Sequence, residues 1–120
     1  MTAGKYNITI EQGSTYNNKM TFYTDSTQTT PIDFTGYTWR MQIRNAIPAT
    51  TVLLELTSEN GRIDITNQAS GEITLKITAE DTAALSFGEG VYDLESVLSA
   101  TVDRKLYGSV TLSKEVTRWA

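Results

Sequence analysis

From Tyr37 to Arg44 the chain alternates without a fault. Tyr37, Trp39, Met41 and Ile43 fall on one side, and Thr38, Arg40, Gln42 and Arg44 on the other. A period of two over eight residues belongs to a strand with one buried and one wet face. Trp39, the bulkiest side chain in the body of the chain, sits in the middle of the apolar series and predicts a small β core centred on it. The lead-in Pro31-Ile32-Asp33-Phe34-Thr35-Gly36 is turn chemistry, Pro fixing φ and Gly permitting a sharp entry.

The rest of the chain reads as packing around that strand. Tyr6, Ile8 and Ile10 mark a first strand over 5–11, interrupted by Gln12-Gly13-Ser14. Tyr16, Met20 and Phe22 mark a second, with Asn18 breaking the inward series, and 24–30 is a polar loop. After Arg44 comes an apolar loop, 45–50. Val52, Leu54 and Leu56 then alternate up to Asn60-Gly61, and Ile63 and Ile65 follow. Asn-Gly is the preferred pair for a type I′ turn, so the spacing predicts a hairpin in which Glu59 faces Arg62, Ser58 faces Ile63 and Leu56 faces Ile65. Ile73, Leu75 and Ile77 point inward on the next strand. The period then changes. Thr78 is a cap candidate and Glu80-Asp81 lie in a first turn, which predicts one or two helical turns ending at 86–90. Tyr92, Leu94 and Leu98 are inward on a strand over 91–98, with Val97 outward, and 99–103 is read as a loop. Leu106, Val110 and Leu112 are inward on the last strand over 104–112, with Lys105, Tyr107 and Ser109 outward. The tail 113–120 loses the pattern but keeps Val116 and Trp119, and reads as an extended or docking segment.

About eight short strands with turn signals every 8–12 residues are the profile of an all-β antiparallel sandwich. A helical turn before Gly90-x-Tyr92-x-Leu94 makes it immunoglobulin-like in architecture, without the cysteine pair of antibody domains. At 120 residues, 1–120 is a single domain with room for a real core. Thr is the commonest residue, in keeping with β structure.

The sequence contains no Cys and no His. That excludes thiol nucleophiles, Ser-His and Cys-His catalysis and histidine proton shuttles, and leaves no disulfide or zinc to staple the fold. A formal charge of −4 with scattered basic residues argues against nucleic acid as a partner. No apolar run is long enough to cross a membrane. The opening residues lack a hydrophobic signal, so the chain is expected to be made and folded in the cytosol.

Several constellations carry two readings. Asp93 and Glu95 share the outer face of one strand, as a glycosidase pair or as a solvated face. Glu80-Asp81 are most simply a helix start stabilised by negative charge. Asp25 and Asp33 flank one loop but form no recognisable Ca²⁺ motif. Gly88-Glu89-Gly90 follows a helix instead of opening one, and lacks the Lys of a phosphate loop. Tyr37 and Trp39 are either a sugar platform or core, and their alternation with Arg40 and Gln42 favours core. No catalytic residue, metal ligand or cofactor site emerges, and the chain is read as non-enzymatic. What remains is contact surface. Tyr23, Leu53, Val97 and Tyr107 point to the nominally wet faces, Ile47 and Pro48 form an apolar loop tip, and Trp119 lies near the end. A cluster of such residues would mark a protein interface.

Three groups of residues carry a resemblance along nearly the whole chain. The first is Tyr6-x-Ile8-x-Ile10-Glu11-Gln12-Gly13 with Pro31-Ile32-Asp33-Phe34-Thr35-Gly36-Tyr37 and Met41-Gln42-Ile43-Arg44. The second is Val52-Leu53-Leu54-Glu55-Leu56-Thr57 with Asn60-Gly61-Arg62-Ile63. The third is Gly90-Val91-Tyr92-Asp93-Leu94-Glu95 with Val116-Thr117-Arg118. Together they resemble small virion-associated structural proteins of tailed bacteriophages. The Pro-x-Asp-Leu-Thr-Gly lead-in, here with Phe34 for Leu, followed by Gly-x-Tyr-x-Leu, is similar to the N-terminal β-sandwich of phage baseplate upper proteins. There the domain docks onto the baseplate and carries a receptor-binding module. This chain departs by ending at Ala120, which implies a non-covalent partner or a capping role. The resemblance implies a virion protein, made in the host cytoplasm, that binds tail, baseplate or fibre components in copies around a symmetric particle. Decoration of the capsid is the alternative, and a carbohydrate-binding module using Tyr37 and Trp39 is the rival from another class.

Overall fold

The computed structural model describes residues 4–23 and 31–117. Within them lie strands β1 (Gly4–Lys5), β2 (Ile8–Glu11), β3 (Tyr16–Thr21), β4 (Thr38–Arg44), β5 (Leu54–Thr57), β6 (Ile63–Asn67), β7 (Glu72–Ile77), β8 (Glu89–Leu98) and β9 (Thr101–Ser113). A 3-10 turn at Gln68–Ser70 precedes β7, and a short helix α1 (Ala79–Ala83) precedes β8. The polar loop 24–30, with Asp25, and the end of the tail, with Trp119, lie outside the described residues.

The strands form two sheets. The large one runs β5–β4–β8–β9, with β1 and β2 following one another along the far edge of β9, and the small one runs β3–β7–β6. This is an immunoglobulin-like sandwich whose order, taken along the chain, is that of variable-type domains. It is antiparallel except at its first edge, where β1 and β2 both pair parallel to β9. These segments come from opposite ends of the chain, so no tight turn forces them to run antiparallel.

The interior follows the alternation closely. Trp39 is 1% exposed and Phe34 fully buried. Phe34 meets the indole edge-on at 4.7 Å, and Phe22 stacks on it at 5.5 Å. Each such ring pair adds about 0.5–1.5 kcal/mol beyond the area it buries. Met41, Ile43, Leu56, Ile63, Ile73, Leu75, Ile77 and Leu94 complete the layer between the sheets. The lead-in is fixed to it at Gly71, whose αL backbone (φ 65) lies so close to the Phe22 and Ile32 carbonyls that a Cβ there would collide with both. Phe34 N–H donates to the Gln68 carbonyl at 2.7 Å, and Asp33 accepts from the Thr35 hydroxyl and N–H, closing a local turn.

The Asn60-Gly61 hairpin does not form. β5 pairs with β4 and β6 pairs with β7, so the chain crosses between sheets at this point. Ser99, with φ 54, is the one non-glycine at positive φ among the described residues, so Asn60 does not take up a type I′ turn. Its side chain instead accepts from the N–H groups of Thr57 and Arg62 at 3.0 Å, capping a crossover. Leu56 and Ile63 are nonetheless both buried, because the two sheets present them to one interior from opposite sides. The two-residue hairpin lies at Ser99-Ala100, where Leu98 pairs with Thr101 and β9 begins at once. This replaces the expected loop over 99–103.

A bulge shapes β9. Leu94 pairs with Leu106 but Glu95 pairs with Arg104, leaving Lys105 as the extra residue. The phase shifts, so Arg104 joins Tyr107 on the outer face while the Lys105 side chain is only 13% exposed. At the tip beyond it, Leu98, expected inward, is 40% exposed.

Candidate functional site

The outer face of the large sheet can be assembled row by row from the strand register. Lys5, Tyr107, Asp93, Gln42 and Glu55 form one row across β1, β9, β8, β4 and β5. The row beside it is Arg104, Glu95, Arg40 and Thr57, and beyond that lie Val102, Val97 and Thr38. On the other side of the central row, Ser109 and Val91 lead to Arg44.

Polar contacts tie these rows together. Arg40 Nε donates to Glu95 Oε1 at 2.6 Å, and Gln42 donates to Glu55 at 2.9 Å. Arg44 spends one N–H on the Gln42 side-chain oxygen (2.7 Å) and another on the Ala49 carbonyl (2.6 Å). The second bond draws the β4–β5 loop toward the sheet. Arg104 stands 4.0 Å from Asp93 and lies over the Tyr107 ring, 5.3 Å from its centroid. Partial burial, then the neighbouring Glu95, push the Asp93 carboxyl above its ordinary range, against the pull of Arg104, Arg40 and Arg44.

A groove of about 470 Å³ crosses this face, bounded by Ile47 of the loop and by Lys5 and Asn7 at the opposite edge. Its edge is anchored where β1 gives way to β2. Tyr92 Oη donates to the Tyr6 carbonyl at 2.5 Å, and Asn7 Oδ1 accepts from Ser109 N–H at 3.1 Å. Gly108 allows this approach, because a Cβ there would run into the Tyr6 carbonyl and the Asn7 side chain.

The contact candidates divide. Ile47, 88% exposed, and Tyr107, 37% exposed, line the same groove. Pro48 is exposed beside Ile47, and Val97 is on the same face, opposite Thr38 and Val102. Leu53 is instead half-buried against the core, its N–H donating to the Ile43 carbonyl. Tyr23 is half-buried and bridges to Pro31, away from this face. Trp119 lies outside the described residues. Lys5, Asn7, Arg44 and Arg104 were not singled out from the sequence. Outward parity was the available signal for Lys5, Asn7 and Arg44, whereas Arg104 falls in phase with Leu106 in the sequence and is turned outward only by the β9 bulge, which, like the parallel first edge, carries no local signature.

The paired carboxylates approach any ligand from the same side. Asp93 and Glu95 stand two apart on one strand, and Glu95 is held by Arg40, whereas a glycosidase places its carboxyls on either side of the scissile bond. The acids of the helix start are structural. Thr78 caps the Asp81 N–H at 3.2 Å, and Asp81 pairs with Arg62 at 2.8 Å. That bond holds the Asp81 carboxyl below its ordinary range. A Tyr37–Trp39 platform is not available, because Trp39 is buried. Among the described residues, no group of three His, Cys, Asp or Glu could hold a metal ion, and no helix is long and apolar enough to cross a membrane.

No protein-family model matches the chain, and no curated protein matches its sequence significantly.

Proposed function

We propose that this protein acts by contact instead of chemistry, as a structural component of a tailed-phage particle attached at the tail or baseplate. The observation that carries the contact role is the meeting of Ile47 and Tyr107 at one groove, with the exposed Pro48 beside Ile47 and Val97 farther along the same face. The particle setting is supported by the sequence resemblance. In this reading the sandwich is a spacer, and copies around a symmetric particle each cover on the order of 800 Å² on a partner.

Ile47 tests the face cleanly. It is 88% exposed, so Ile47→Asp removes an apolar contact without disturbing the core. The variant is expected to fold normally and to be lost from purified particles, read by mass spectrometry. Gold-labelled antibody against the wild-type protein is expected at the tail tip or collar of intact phage. Label over the head would make it a decoration protein, and absence from purified particles would refute the virion role. Normal incorporation of Ile47→Asp would show that the contact lies on another face.

A further inference from the structure

The groove on the large sheet is at odds with the charge of the molecule. The chain carries a net −4, yet the groove wall holds Lys5, Arg44 and Arg104 against a single acid, Asp93. Two of the three cations have no ion pair among the described residues, and the third has only a long one. Lys5 makes no ion pair there, Arg104 stands 4.0 Å from Asp93, and Arg44 bonds only to neutral oxygens. One row away, by contrast, Arg40 and Glu95 close to 2.6 Å. Asn7 has its oxygen engaged by Ser109 N–H, which leaves its Nδ2 donor without a protein partner among the described residues. Ile47 and the half-buried Val91 add apolar wall.

We infer that this groove receives an acidic, extended peptide segment of a partner protein, its carboxylates against Lys5, Arg44 and Arg104 and its apolar side chains against Ile47 and Val91. The inference rests on the contact role proposed above and specifies the partner's chemistry. The volume, about 470 Å³, suits a few residues of chain. Unpaired or loosely paired cations gain more from an incoming carboxylate than a closed ion pair does, because no tight partner must be displaced. A sugar or a nucleobase fits less well. Either would gain from an open aromatic face to stack on, and the Tyr107 ring is covered by the Arg104 guanidinium.

The test uses the ¹⁵N-labelled full chain at low ionic strength. The probe is acetylated, amidated Glu-Leu-Glu-Leu-Glu-Leu-Glu, with its Lys-for-Glu counterpart, oligoglucuronate and oligo-dT as the other classes. Amide shifts are expected at Val91, Asp93, Tyr107 and Ser109 with the acidic peptide. Affinity should fall at least about ten-fold between roughly 0.02 and 0.5 M salt. Lys5→Ala and Arg104→Ala alter exposed side chains and should each weaken binding about five- to ten-fold while the remaining spectrum stays in place. Shifts outside the groove, equal binding of the Lys peptide, indifference to Arg104→Ala, or preference for oligoglucuronate or oligo-dT would overturn the inference. A chain that enters particles but binds no acidic peptide loses only this assignment. One that binds the peptide yet is absent from particles loses only the virion setting.

Discussion

Replacing Tyr92 by Phe removes one oxygen and, with it, a side-chain bond that helps hold the β1–β2 edge to the sandwich. Tyr92 and Gly108 face each other across β8 and β9. With no side chain on Gly108, the phenol reaches past it to the Tyr6 carbonyl at 2.5 Å. β1 and β2 are only two and four residues long, so this joint matters more than one bond would in a long strand. The ring itself is 5% exposed, and Phe preserves its packing. Leaving a partly sheltered carbonyl without its donor costs about 1–3 kcal/mol. Tyr6 is 43% exposed, so water replaces part of the bond and the lower half of that range, about 1–1.5 kcal/mol, is expected. In a domain of this size that corresponds to a drop in Tm of roughly 4 °C per kcal/mol. Urea unfolding should show a lower midpoint at unchanged slope, and amide exchange should rise over 5–11 while the β4–β8 core stays protected. Gly108→Ala strikes the same carbonyl by pushing it away, so once either change is made the other has less to remove. The double variant should therefore fall short of additivity by more than about 0.5 kcal/mol. Additive effects, or a loss below about 0.3 kcal/mol for Tyr92→Phe, would refute the lock.

The same phenol predicts alkaline behaviour. Burial, with Tyr16 and Tyr6 nearby, raises the Tyr92 pKa, and burial also raises that of Tyr16. Their stabilising effect is therefore complete below the unfolded value near 10 and is lost as pH climbs toward the folded values, so Tyr92→Phe should flatten the alkaline limb of a stability–pH curve. In acid the signs split. Asp81 is lowered by its bond from Arg62, so its stabilisation holds above the unfolded value and disappears as pH falls through the folded one; Asp81→Asn should remove that acid dependence. Asp93 is raised, first by burial and then by Glu95, so protonating it favours the folded state; Asp93→Asn should stabilise the protein at neutral pH, read by urea midpoints at pH 7 and pH 4. Finally, Ser96 Oγ and Trp39 Nε1 are buried, have no protein partner among the described residues, and sit opposite each other on β8 and β4. Ser96→Ala should be neutral or stabilising by up to about 1 kcal/mol in the same assay, and a loss larger than that would mean the hydroxyl is bonded.

Burial was legible in the sequence wherever it depends on a strand's own alternation. Trp39, Met41, Ile43, Ile73, Leu75 and Ile77 are interior because every second residue faces the same way, whichever strand lies alongside. Thr78 caps α1 for an equally local reason. Pairing is different, since it depends on what the chain meets after it turns. The Asn60-Gly61 segment illustrates the limit: its turn residues and flanking apolar sets suit a hairpin, yet the same apolar sets are satisfied when β5 and β6 enter opposite sheets that share one core. Alternation cannot distinguish those arrangements, because both bury Leu56 and Ile63.

The candidate site falls on the illegible side of that line. Ile47 could be noticed as an apolar residue in a loop, but the groove it overhangs exists only because three non-local events coincide. β1 docks parallel to β9 and brings Lys5 and Asn7 to the edge. The extra residue Lys105 shifts the phase of β9 and turns Arg104 outward. Arg44 bonds to the Ala49 carbonyl and draws the loop in. Each charged side chain, taken alone, reads as an ordinary solvated position. Their common sign becomes visible only once Lys5, Arg44 and Arg104, separated by 39 and 60 positions in the sequence, line one wall.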